Sequence, residues 1–307
     1  MAQSRLRSSF IYLANAVIDL RGNWATLAVL LGPLALVAAL CLLPDALNLQ
    51  YRVAQTFEPP GGQTISFNSV RPAQTPYAPE RNVPPGRQPF SPWVTTTLHV
   101  IFFLLTLAVK LVVLCALARM QTGVREPGLV HEAIAVYARA IRPAPAFALV
   151  VVLQLLATAV GFVLLIVPGV LVYVWLYFAP YSLIFDDHHS WPALIFSRDL
   201  ERGRFFKVAT RIVVFLAVWT GYNSWAGGIF IIVSLLLGPV AVLTGSLWFV
   251  IFLVDLLGVS VSYATAAFFH TAGARLYQDL NQLAREPAVA RVEVAMQATG
   301  PLSQASL

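Results

Sequence analysis

The chain has 307 residues, of which 58% are hydrophobic and only 11% charged, with a formal net charge of +6 and a mean hydropathy of +0.74. This composition excludes an ordinary soluble domain, because apolar runs of ~20 residues, enough to cross a ~30 Å hydrocarbon core as helix, recur along it. The basic excess comes from 18 Arg and 2 Lys and falls mostly on one side of the predicted spans, so it reads as membrane orientation rather than nucleic-acid binding.

Residues 4–21 are amphipathic: Leu6, Phe10, Leu13, Val17 and Leu20 form one helical stripe, and Arg5, Ser8, Tyr12, Asn15 and Asp19 another. Such a helix lies in the membrane interface. A first span follows at 24–43, entered at Trp24 and kinked at Gly32-Pro33. No small-x-small cleavage site ends it, so it reads as a retained span rather than a signal peptide. Residues 44–92 hold ten of the twenty prolines and read as an irregular outer loop. Within it, the alternation in YRVAQTF and QTISFNSV, joined by EPPGG, predicts a β-hairpin.

The second span runs from 94 to 118, between Trp93 and Arg119. An amphipathic helix over 128–142 sets His131, Glu132, Ala135, Arg139 and Arg142 on one arc and Val130, Ile134, Tyr137 and Ile141 opposite. The third span, 144–167, turns at Pro168-Gly169 into the fourth, 170–185. Ser190 as N-cap, Pro192 in the first turn and Gly203 at the end predict a third interfacial helix. A fifth span starts near 207 and is interrupted at GYNSWAGG (221–228), leaving 226–245 as an external or re-entrant link. The sixth span is 247–271, and residues 286–307 form a flexible tail. An interfacial helix followed by a two-span hairpin thus occurs three times.

With the N-terminus inside, fifteen of the twenty basic residues fall on cytoplasmic segments and four in the outer loop. The bias predicts six spans with both termini cytoplasmic, in the inner membrane of the cell. Counting 226–245 as a seventh span would put Arg275, Arg285 and Arg291 outside. The fold class expected is all-α, a polytopic bundle forming one membrane domain over 1–285.

On this topology Asp186-Asp187-His188-His189 is the wet exit of a span. Neighbouring side chains on a helix do not converge, and zinc needs three or four ligands, so no metal site is expected there. Cys41 and Cys115 fall near opposite ends of adjacent spans, too far apart for a disulfide.

Further on, Pro168-Gly169 between two spans, the Ala179-Pro180 pair, the spacing of Ala193, Leu194, Ser197, Leu200 and Gly203, and Tyr277 with Leu280 after the last span form a pattern. In these motifs residues 128–285 resemble a large family of bacterial membrane proteins, which includes the membrane domain attached to glycerophosphoryl diester phosphodiesterases. The resemblance implies six helices and a role at the envelope, and no particular reaction. No phosphodiesterase domain is expected with it, because the segment after 272 is too short.

Lys110 and Asp255 are the charges deepest in the spans, and intramembrane charges are functional candidates by default. Against that stands a plainer reading, in which Lys110 snorkels and Asp255 hydrogen-bonds locally. Gly258, Ser262 and Ala266 form a small-residue stripe that predicts helix packing. The tryptophans at 24, 93, 191, 225 and 248 read as an aromatic belt rather than a cofactor site. No phosphate loop, HExxH pair or nucleophile elbow is present, so neither enzymatic activity nor a cofactor is expected. The leading expectation is a scaffold or accessory subunit engaging anionic lipid headgroups, a membrane-protein partner or a second copy. The competing one is a small transporter or lipid-handling permease built on Lys110 and Asp255.

Overall fold

The computed structural model describes residues 6–57, 90–122, 128–243 and 246–299. It is all-α. In chain order come α1 (Ser9–Phe57), α2 (Pro92–Thr122), α3 (Leu129–Ile141), α4 (Ala144–Leu164), α5 (Ile166–Leu176), α6 (Ala179–Phe185), α7 (Ser190–Leu200), α8 (Phe205–Leu243) and α9 (Leu247–Thr299). Six stretches are long and apolar enough to cross a membrane: Ser9–Gln50, Pro92–Met120, Ala144–Leu164, Ile166–Phe185, Phe205–Pro239 and Leu247–Arg285. The chain clusters into two compact units. One holds residues 1–34, 106–226 and 260–307; the other holds 35–105 and 227–259.

Several local expectations are corrected. The backbone of α1 leaves helical values at Asn23 (φ −125°, ψ 15°), not at Gly32-Pro33. The Asn23 side-chain amide donates to the Asp19 carbonyl, the kind of local bond that competes with a helix ladder. YRVAQTF is the last part of α1 and not a strand: helix propagates cheaply from the apolar run before it. The second predicted strand lies outside the described residues. Ser190 is the first residue of α7, with His189 in the capping position and no side-chain cap bond.

The predicted interruption at 221–228 is absent. Helix α8 runs unbroken for 39 residues, with Pro239 inside it, so 226–243 is its second half rather than a re-entrant link. At 1.5 Å per residue it is ~58 Å long. Glycine in an apolar helix costs propensity but breaks nothing when each backbone group keeps its partner. The tail expected from 286 begins as a continuation of α9, which reaches Thr299.

The turn between the third and fourth spans sits at Leu165 (φ −168°, ψ 152°), before Pro168-Gly169 and not at it. Pro168 occupies the first turn of α5, where its missing N–H has no partner to lose. Gly169 serves the crossing: a Cβ on Gly161 would lie 2.8 Å from the Gly169 Cα, and one on Gly169 would lie 2.6 Å from the Phe162 ring. The α4–α5 hairpin closes only because both are glycine.

The fourth span is itself two helices. Pro180 has no N–H for the Leu176 carbonyl, and the chain opens at Tyr177-Phe178 before α6 begins. Helix α7 closes the gap. Ser197, fully buried, accepts a hydrogen bond from the Phe178 N–H at 3.2 Å and donates to the Trp175 carbonyl at 2.7 Å. Ser182 donates to the Ala193 carbonyl at 3.3 Å. The spaced motif residues Ala179, Pro180, Ala193, Ser197, Leu200, Tyr277 and Leu280 are all buried, and Gly203 turns the chain at φ +78°.

Candidate functional site

The first unit gathers charge at one end, where α9 meets the chain beginnings and exits around it. Asp186 closes α6, and three groups of α9 donate to it: the Tyr277 hydroxyl, the Asn281 amide at 3.1 Å and the Arg285 guanidinium at 3.0 Å. Tyr277, Asn281 and Arg285 are four residues apart, so one face of α9 presents all three. Asp187 follows in a left-handed conformation (φ 53°), and the His188 ring lies 4.6 Å from that of Phe196. Asp186 is thus a latch between the fourth span and α9.

A second face of α9 holds α1. Arg275 grips Asp19 with both arms at 2.5 Å, and Tyr12 donates to Asp279 at 2.7 Å. Arg204 donates to the Leu283 carbonyl at 3.3 Å. These bonds set the start of α1, the end of α6, the start of α8 and residues 275–285 of α9 at the same end of the unit, as six crossings require.

The amphipathic stretches leave many large apolar side chains facing outward, as a soluble protein would not. On α1, Tyr12 and Ala16 are buried while Phe10 and Ile18 are 72% and 67% exposed. Helix α3 buries Ala133, Val136 and Ala140 and turns Val130, Ile134 and Ile141 outward. Its Glu132 reaches in to Arg119 at 2.8 Å, and Tyr137 donates to the Leu30 carbonyl. Helix α7 buries Ala193, Leu194, Ser197 and Leu200 and exposes Trp191 and Ile195. Polar groups bonded inward with apolar ones outward suit a solvent that is hydrocarbon.

One residue the sequence reading passed over is Glu201. It is fully buried, and neither carboxyl oxygen has a hydrogen-bond partner among the described residues. Burial pushes its carboxyl up to about 9, so it is neutral at neutral pH. The signal was legible: 193, 194, 197, 200 and 201 fall on one helical face, and the last of them is an acid.

Lys110 and Asp255 keep separate company. Lys110 belongs to the first unit, as does His270, whose Nδ1 lies 3.2 Å from the Tyr181 hydroxyl. Asp255 belongs to the second unit, as does Asp45, which pairs with His99 at 3.0 Å. The Gly258, Ser262 and Ala266 stripe is not the packed face of α9. Ser262 is exposed, and the buried positions are Val259, Tyr263 and Ala267, one residue along. Real close approach occurs at Gly273, where a Cβ would meet the hydroxyls of Tyr181 and Tyr177. Trp24, Trp93, Trp191, Trp225 and Trp248 are all exposed. Cys41 and Cys115 are free and buried.

No family model, no curated protein and no solved structure matches the chain.

Proposed function

We propose that the protein is a non-enzymatic scaffold or accessory subunit of the bacterial inner membrane, with both termini cytoplasmic, whose short helices hold anionic lipid headgroups. The observation that carries this is the outer face of α7. Trp191 and Ile195 are exposed there beside Arg198, with Arg202 exposed in the turn that follows, and neither arginine has an ion pair among the described residues. An apolar anchor flanked by uncommitted guanidinium groups is what a lipid–water boundary favours, at about 1 kcal/mol per basic residue near an anionic surface. Arg139 and Arg142 stand beside exposed Ile134 and Ile141 on α3 in the same way. The residues that resemble the envelope family, from Ala179 to Leu280, build the core that carries α7, which accords with an architectural role.

Reconstitution into nanodiscs of phosphatidylcholine doped with phosphatidylglycerol tests this. Lipid recovered with the wild type should be enriched in phosphatidylglycerol, and the Arg198→Gln/Arg202→Gln variant should lose much of that enrichment. Recovered lipid of bulk composition in both proteins would sink the reading.

A permease is the second reading, and what favours it is Lys110, a charge on α2 flanked by buried Val109 and Leu111.

A further inference from the structure

Glu201 ends α7 with a side chain that is fully buried, and neither carboxyl oxygen has a hydrogen-bond partner among the described residues. An isolated carboxylate is costly in such a place, so the group holds a proton instead. The helices packed against α7 offer it no cation. They are α4, α5 and α6: α4 has no ionisable side chain, α5 has Tyr173 alone and α6 Tyr181 alone, with Tyr177 between them. Asp186, which closes α6, is already held by three groups of α9.

The remaining charges nearby are exposed or committed elsewhere. Arg198 and Asp199 on α7 are exposed, as are Arg202 and Lys207 beyond it. Arg204 is bonded to the Leu283 carbonyl, Arg211 to those of Leu6 and Arg7, and Arg275 to Asp19.

The way from Glu201 to water is short. Helix α7 lies between two residues of left-handed backbone, Asp187 (φ 53°) and Gly203 (φ 78°), both exposed. Gly203 comes two residues after Glu201 and has nothing within 4 Å of where its Cβ would be. Hinges are element-terminal residues of this kind. A change of backbone angle there carries the end of α7 outward and leaves the spans in place, whereas unfolding the bundle exposes the same carboxyl at far greater cost.

We propose that Glu201 is the proton-binding site of a docking switch: α7 stays seated against the fourth span while this carboxyl holds its proton, and its C-terminal end swings out when the proton passes to water. The swing withdraws the Ser197 hydroxyl from the Phe178 N–H and the Trp175 carbonyl and so opens the break in the fourth span to water. Docked, the carboxyl titrates at about 9; hydrated, it returns to its ordinary 4.5. The docked state therefore keeps a proton that the open state loses. Docking is strongest below pH ~4.5, weakens by up to about tenfold per unit as pH rises, and levels off near 9. The switch does not rest on the headgroup reading, since Arg198 and Arg202 play no part in it.

Hydrogen–deuterium exchange of the full chain in phosphatidylcholine nanodiscs reads the switch, with labelling times scaled to the intrinsic exchange rate at each pH. From pH ~6.5 to ~8.5 the α7 amides of the wild type should lose at least about tenfold in protection, out of the roughly hundredfold that one proton allows. They should also exchange ahead of those of α4. Glu201→Gln, neutral at every pH, should keep α7 protection level, and Glu201→Met serves if the Gln variant is not monodisperse. Both variants retain His188 and His189, which lead into α7, so a pH response of the histidines would survive the substitution. The proposal is overturned if α7 protection does not fall in the wild type, or if the fall persists in a folded variant. It is equally overturned if α7 and α4 share one level of protection at every pH.

Discussion

Ser197 of α7 and Phe178 at the opening of the fourth span are bound as plug and gap. One hydroxyl accepts from the Phe178 N–H and donates to the Trp175 carbonyl, two backbone groups that Pro180 and the broken helix leave without helical partners. Within hydrocarbon no water would serve them. Ser197→Ala leaves both bare and should cost about 1–3 kcal/mol, read as a lower melting temperature in detergent. A variant that melts with the wild type would show that the gap closes without the hydroxyl.

Glu201 gives stability a pH dependence. Its carboxyl titrates near its ordinary value, 4.5, when unfolded and about 9 when folded. Between those values the folded chain holds a proton that the unfolded chain has released. The contribution of this group to stability is therefore full below pH ~4.5, falls as pH rises at up to about 1.4 kcal/mol per unit, and levels off near 9. Glu201→Gln removes the ionisation but keeps the shape. Melting curves across this range should show the variant gaining on the wild type as pH rises and matching it at the acid end. Parallel curves would mean that Glu201 is charged and has found a partner.

Gly203 has φ +78°, and nothing lies within 4 Å of where its Cβ would be. The only obstacle to a side chain is therefore backbone conformation. Gly203→Val should cost about 1–2 kcal/mol and Gly203→Asn less, since Asn tolerates the left-handed region. Equal, small losses in melting temperature for both would show that the turn from α7 into α8 relaxes.

Sidedness is tested with single cysteines in a Cys41→Ala/Cys115→Ala background. Ser91→Cys precedes α2, and Gln282→Cys lies on the charged end of α9; both positions are exposed. An impermeant maleimide added to intact cells should label the first and not the second. The reverse pattern would invert the orientation that the arginines predict.

The class of the protein and most of its spans were determined by the sequence alone, because hydropathy and helical periodicity are local properties. A run of ~20 apolar residues is a helix in hydrocarbon whatever its neighbours are. The amphipathic stripes of α1, α3 and α7 were legible for the same reason, as was the special conformation at Gly203. Periodicity alone did not say which stripe faces the protein: Phe10 and Ile134 point away from it, and Tyr12 and Glu132 point in. Glycine and proline misled at 221–228 and 168–169, because whether they break a helix depends on what packs there.

Tertiary structure decided the pairings. Asp186 and Tyr277 are 91 residues apart, Asp19 and Arg275 are 256 apart, and no local pattern joins them. A buried charge takes its character from the groups folding brings within a few ångströms, and a sequence records those distances nowhere.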